Sequence, residues 1–172
     1  HTTMSSRFDL KNETAVVIGG TGVLGGALAT GLAEAGARVA ILGRNEERGN
    51  ARVKSLLAEG HTAQFIKADA MVAADLRAAL EQIESGWGPV TILLNAAGGN
   101  DPKVTVTTEQ PFEQIKLEDW HSNFDLNLVG GVLLPCQEFG PAMVRRGQGS
   151  IINIASVSAH LPLSRVVSYS AA

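Results

Sequence analysis

The chain has 172 residues, 45% of them hydrophobic and 18% charged, and its 14 Lys and Arg against 17 Asp and Glu give a formal net charge of −3. That length suits one domain with a substantial core and argues against a second. The absence of an apolar run of roughly eighteen residues speaks against a membrane span, and mixed charge without a basic face disfavours nucleic acid and other polyanions as partners. Residues 1–3 precede the first methionine, Met4, and read as an expression remnant. No basic-then-apolar leader follows Met4, so a soluble, cytoplasmic protein is expected. The single cysteine, Cys136, rules out an internal disulfide and reads as a small buried hydrophobe within GGVLLPCQEF. His1, His61, His121 and His160 lack metal-ligand spacing, and no metal is expected.

Taken in chain order, short β-branched runs alternate with longer amphipathic segments, the pattern of a parallel sheet with crossover helices. The first run, TAVVIGG (14–20), is nearly all apolar, as for a strand covered on both faces. It leads into GVLGGALATGLAEAG (22–36), a helical segment, and across the junction Gly19, Gly22 and Gly25 recur every third residue. Glycine suits each of these positions: Gly19 allows a tight turn, Gly22 lets the backbone approach a pyrophosphate, and Gly25 lets helix and strand pack closely. Gly19, Gly20, Thr21, Gly22, Val23, Leu24 and Gly25 are therefore expected to cradle a dinucleotide. No Lys-Ser or Lys-Thr follows, which excludes a P-loop.

The second strand, RVAILG (38–43), ends at Gly43, where an acidic residue would accept the adenosine ribose hydroxyls of NAD(H). Arg44 follows, and a guanidinium can bind a 2′-phosphate, so NADP(H) is preferred. Asn45 or Glu46 on the ribose of NAD(H) is the alternative. After the helix NEERGNARVKSLLAEG (45–60) comes AQFIKAD (63–69), whose terminal Asp69, followed by Ala70, is placed to accept from the adenine amino group or to act as a helix cap. The helix AADLRAALEQIESGWG (73–88) precedes TILLNAA (91–97). There Asn95 stabilises the sheet or faces the cofactor, and the backbone from Ala96 and Ala97 to Gly98 lines the cleft, since small residues permit close approach. Residues 98–118 are polar and contain two prolines; they read as a substrate-side rim loop at a strand's carboxyl end. A long helical stretch (119–147) leads to SIINIAS (150–156). Five strands with their helices make a doubly wound α/β fold, a Rossmann sheet in a three-layer αβα sandwich.

The glycine turn, Asp69-Ala70, NAAG (95–98), Asn127-Leu128, Ser156 and YSAA from Tyr169 occur in an order that resembles the short-chain dehydrogenase/reductase family from about Phe8 to Ala172. The resemblance implies strand order 3-2-1-4-5 with two further strands that this chain lacks, a nicotinamide cofactor, and hydride transfer to or from an alcohol or carbonyl. Two features depart from the usual pattern: Ile18 stands where most members have threonine, and Gly22 comes one place early, with Val23 at the usual glycine. That spacing is similar to the family's extended branch of epimerases and dehydratases. More narrowly, GGTGVLGGALA, AILGRN and NAAGGNDPK resemble D-mannonate oxidoreductase-like members, which implies a sugar acid such as mannonate or fructuronate, or another polyhydroxy substrate.

The same resemblance gives roles to three side chains. Ser156 holds the substrate oxygen, Tyr169 transfers its proton, and Asn127 supports a water between a lysine and solvent. A free tyrosine titrates near ~10, and the family's Tyr-x-x-x-Lys spacing brings an ammonium beside the phenol on one helix face. That lysine would be the residue after Ala172, so the chain reads as a portion of a longer protein and is expected to be nearly inactive alone. A catalytically silent dinucleotide-binding redox sensor is a second possibility, and an extended-branch epimerase or dehydratase a third. The helices bearing Asn127 and Tyr169 build a dimer or tetramer interface in the family, so a homo-oligomer is implied.

Overall fold

In the computed structural model of the chain, which describes residues 8–161 and 163–172, five strands run parallel: β1 (Thr14–Ile18), β2 (Arg38–Gly43), β3 (Ala63–Lys67), β4 (Ile92–Asn95) and β5 (Ser150–Asn153). Their order, β3-β2-β1-β4-β5, is the one the resemblance implied. The remnant expected at residues 1–3 lies outside the described residues. The helices are α1 (Val23–Glu34), α2 (Glu46–Ala58), α3 (Ala73–Trp87), α4 (Leu117–Phe124), α5 (Leu134–Arg146) and α6 (Val167–Ala171).

Because side chains alternate across a strand, β1 feeds two cores. Val16 and Ile18 join Leu42, Leu93, Leu76 and Ile83 of α3, and Phe139 of α5 on one face. Ala15 and Val17 join Ile41, Leu94, Ala29 of α1 and Leu56 of α2 on the other. Every residue of β1 and β4 is buried, which explains their unbroken apolar runs. Cys136 is half-buried and packs against the first of these cores.

Several boundaries differ from the sequence reading. The expected strands ending at residues 20, 69, 97 and 156 stop at Ile18, Lys67, Asn95 and Asn153. In each case the chain has left the ladder to turn at the sheet's carboxyl edge, where residue type alone looks the same. Unlike those of β1 and β4, all four residues of β5 are exposed. It is the edge strand, and among the described residues only α5 packs on it to any extent. The single helix expected over 119–147 is three pieces: α4, a π-helical stretch (Asp125–Leu133) and α5, which carries Pro141 inside it. The loop expected over 98–118 contains short 3-10 turns at Pro102–Val104 and Phe112–Gln114, and α4 begins at Leu117.

Candidate active site

At the carboxyl edge of the sheet two cavities share a wall made of Gly22 and Ala96 to Gly98. One, of about 410 Å³, is bordered by Ser156, Asn127 and Tyr169; the other, of about 340 Å³, by Arg44, Arg48 and Asp69. An open α/β sheet binds its ligands at this edge, where the strand order reverses.

The turn between β1 and α1 fits a pyrophosphate. Gly19 has φ +77°, and a Cβ there would lie 2.7 Å from the Ala97 nitrogen. At Gly25 a Cβ would strike the Gly19 carbonyl, so only glycine lets the helix sit this close to the strand. The N–H groups of Val23, Leu24 and Gly25 fall in the first turn of α1, where a helix has no carbonyls of its own to satisfy them. With the positive end of the helix dipole they favour an anion. Val23 is 91% exposed, so nothing among the described residues covers its side chain at this terminus.

Beyond the turn, Thr21 packs against Gly43, and both border the smaller cavity. Arg44 projects from the end of β2, 73% exposed and 3.9 Å from an Asp69 oxygen, a loose pairing that leaves the guanidinium available. Arg48, four residues on and absent from the sequence reading, borders the same cavity. Lys67 is committed elsewhere: its Nζ lies 2.7 Å from Glu46 Oε1, and that hydrogen bond, with the carboxylate's charge, raises its pKa above the ordinary lysine value. Glu46, the alternative ribose acceptor, is thereby turned toward Lys67. Asp69 accepts from the Met71 N–H at 3.0 Å through its other oxygen, which fixes the turn after β3 and leaves Ala70 on the cavity wall.

Three expected cofactor residues border neither cavity, and each makes a packing or hydrogen-bonding contact within the protein. Gly20 is buried, with room for no more than hydrogen beside Ile41. Asn45 caps α2, its side chain accepting from the Arg48 N–H at 2.9 Å. Asn95 is 2% exposed and donates to Asn153 Oδ1 at 2.8 Å, joining β4 to β5, which is the sheet role the sequence left open.

Around the larger cavity Ser156 caps a 3-10 turn (Val157–Ala159), its oxygen accepting from the Ser158 N–H at 3.2 Å. A hydroxyl that accepts here still has its proton to donate into the cavity. Tyr169 is half-buried on α6. Asn127, in the π-helical stretch, grips the backbone of Gly99: its Oδ1 accepts from the Gly99 N–H at 2.9 Å, and its Nδ2 donates to the Gly99 carbonyl at 2.9 Å. The same Nδ2 donates to the Asn123 carbonyl at 2.8 Å, so both amide protons are used. Gly98 and Gly99 have φ +151° and +156°, and a Cβ on Gly98 would come within 2.7 Å of Asn127 Oδ1. Further along the π stretch, a Cβ on Gly131 would lie 2.8 Å from the Ala97 carbonyl. The 98–118 loop packs down through buried Val104, and its Val106 N–H donates to the Arg165 carbonyl at 2.7 Å. Asn123, Ser168 and Arg48 escaped the sequence reading. Only Arg48 carried a readable signal, a second cation one helical turn after Arg44.

The short chain dehydrogenase family matches residues 13–172. An uncharacterized oxidoreductase of Bacillus subtilis is 38% identical over 95% of this chain and 62% of its own length. Among solved structures, a protein provisionally assigned as a D-mannonate oxidoreductase from Haemophilus influenza, with bound NAD, superposes with a TM-score of 0.88 at 32% identity, covering 95% of this chain and 61% of that one. A gluconate 5-dehydrogenase from Burkholderia cenocepacia, in complex with NADP and tartrate, gives 0.84 at 34% identity, covering 96% and 62%. The chain thus spans a little over three fifths of the length of these relatives.

Proposed function

The chain belongs to the short chain dehydrogenase family, and from that premise we propose that its protein is a nicotinamide-dependent oxidoreductase acting on a secondary alcohol of a sugar acid or similar polyol. The observation that carries this is the convergence of Ser156, Tyr169 and Asn127 on one cavity that shares its wall with the glycine turn. When bound, the nicotinamide supplies or accepts hydride at the carbinol carbon.

The remaining chemistry is a proton at the substrate oxygen. In the oxidative direction the alcohol O–H proton passes to the Tyr169 phenolate as the carbonyl forms, leaving the phenol; in reduction the Tyr169 phenol returns it. The Ser156 hydroxyl donates a hydrogen bond to the same oxygen and fixes its position. With its amide protons spent on Gly99 and Asn123, the Asn127 side chain sets the shape of the cavity wall.

NADP(H) is the preferred cofactor in this reading. The available guanidinium of Arg44, Arg48 beside it and the engagement of Glu46 by Lys67 support a 2′-phosphate, although one relative holds NAD and another NADP. A sugar-acid substrate is supported by the relatives named for mannonate and gluconate. The test is to titrate the full-length protein with NADPH and NADH by fluorescence and to follow reduction of NADP and NAD with D-mannonate and D-gluconate. Dinucleotide binding and turnover that Tyr169→Phe abolishes without loss of binding are the expected results. No dinucleotide binding, or full turnover in Tyr169→Phe, refutes the reading.

A further inference from the structure

Between α4 and α6 lies a polar chain that the proton-transfer chemistry does not use. Asn123 is 1% exposed and Ser168 0%. The Ser168 hydroxyl donates to Asn123 Oδ1 at 3.0 Å, across 45 residues of sequence. Asn123 Nδ2 in turn donates to the Gly99 carbonyl at 3.0 Å, the same oxygen that Asn127 Nδ2 reaches at 2.9 Å. Two amides thus fill both lone pairs of one carbonyl. The result is a continuous line of hydrogen bonds from the residue preceding Tyr169 to the Gly98-Gly99 turn on the opposite wall of the cavity.

A buried hydroxyl and amide are costly unless each is satisfied, and an apolar pair of similar volume would hold two helices together as well. What such a pair would not do is fix one orientation, because hydrogen bonds are directional and hydrophobic contact is not. The start of α6 at Val166 has no capping side chain, so the helix's own first turn does little to fix where it begins. Ser168 is its anchor, one position from the tyrosine.

Resting on the oxidoreductase reading above, we infer that Asn123 is a positioning residue for Tyr169: through Ser168 it fixes α6, and through the Gly99 carbonyl it ties that helix to the wall that Asn127 shapes. It touches neither substrate nor cofactor and acts on the distance between the phenol and the substrate oxygen. Misplacement of a reacting group by about 1 Å costs up to about 100-fold in rate.

The experiment uses the full-length protein, NADP and NAD as cofactors, and D-mannonate and D-gluconate as alcohols, and it compares Asn123→Ala, Ser168→Ala and the double variant. Ser168→Ala removes one hydroxyl and is the variant least able to unfold the chain. Each single variant is expected to lower kcat by about 10-fold or more, with KM and dinucleotide Kd within about 2-fold, because binding contacts are untouched. The double variant is expected to match the worse single one, since both break one chain of hydrogen bonds. A purely structural pair would lower Tm while leaving kcat unchanged below the melting range; that result, or fully multiplicative losses in kcat, overturns the inference. Failure of the unsubstituted protein to bind either dinucleotide refutes the oxidoreductase reading, and the positioning role falls with it. An active parent with active variants overturns the positioning role alone.

Discussion

Arg44 is the side chain on which the proposed preference for NADP over NAD, two cofactors that differ by one phosphate, rests. Its guanidinium is exposed and only loosely paired with Asp69 at 3.9 Å, so little has to be broken for it to bind an anion. Charge-assisted hydrogen bonds contribute about 1.5–3 kcal/mol, which is about 10-fold to 100-fold in affinity. Arg44→Ala is expected to weaken NADP binding by that factor and to change NAD binding by less than about 2-fold, as read by titration calorimetry. Equal effects on the two dinucleotides would remove Arg44 from the phosphate. Gly25 acts by having no side chain, since a Cβ there meets the Gly19 carbonyl. Gly25→Val is expected to abolish binding of both dinucleotides while the far-ultraviolet dichroism stays native; retained binding would mean that the turn is not the pyrophosphate cradle.

At the level of elements, Asn45 separates structure from ligand recognition. As the cap of α2, with Glu46 and Glu47 in the first helical turn, it is worth about 1 kcal/mol. Asn45→Ala should cost that much in a denaturant titration and leave dinucleotide Kd unchanged. Phe139 pins α5 to the sheet at 1% exposure, and Phe139→Ala is expected to destabilise by about 3–5 kcal/mol. A loss under about 1 kcal/mol would show that α5 repacks.

These two residues also show what could be read in advance. The strands and first three helices were legible because apolar period and glycine punctuation are local signals, and so was the glycine turn. A capping asparagine and a ribose-contacting one, however, occupy the same position relative to a strand end, and sequence cannot separate them. The break of the long helix into α4, a π stretch and α5 leaves the apolar pattern almost unchanged, so periodicity over 119–147 gave one helix. The Asn123–Ser168 bond joins residues 45 apart, and no motif marks either one.

For the molecule as a whole, the decisive asymmetry is between a buried center and an exposed edge. β1, at the middle of the sheet, is buried at every position, whereas Ile151 and Ile152 of β5 are each 40% exposed and Ile154, just beyond, 37%. Such a patch attracts other apolar surfaces. The 172-residue polypeptide alone is expected to bind an environment-sensitive apolar dye, and Ile152→Lys to reduce that fluorescence with little change in Tm. Unchanged dye binding would place the accessible apolar surface elsewhere.

The π-helical stretch has a consequence for alignment. On an α-helix a step of four residues overshoots a full turn by about 40°, so three residues spaced by four drift steadily around the axis. The wider i→i+5 turn undershoots instead. Asn123 lies on the last turn of α4, and Asn127 and Gly131 lie within the π stretch, so the wide turn removes the overshoot that a run of α steps would accumulate. All three keep a common heading toward the sheet edge, where two hold Gly99 and the third admits the Ala97 carbonyl. The wide turn is a phase correction: it lets a curved cavity wall be held by one line of residues.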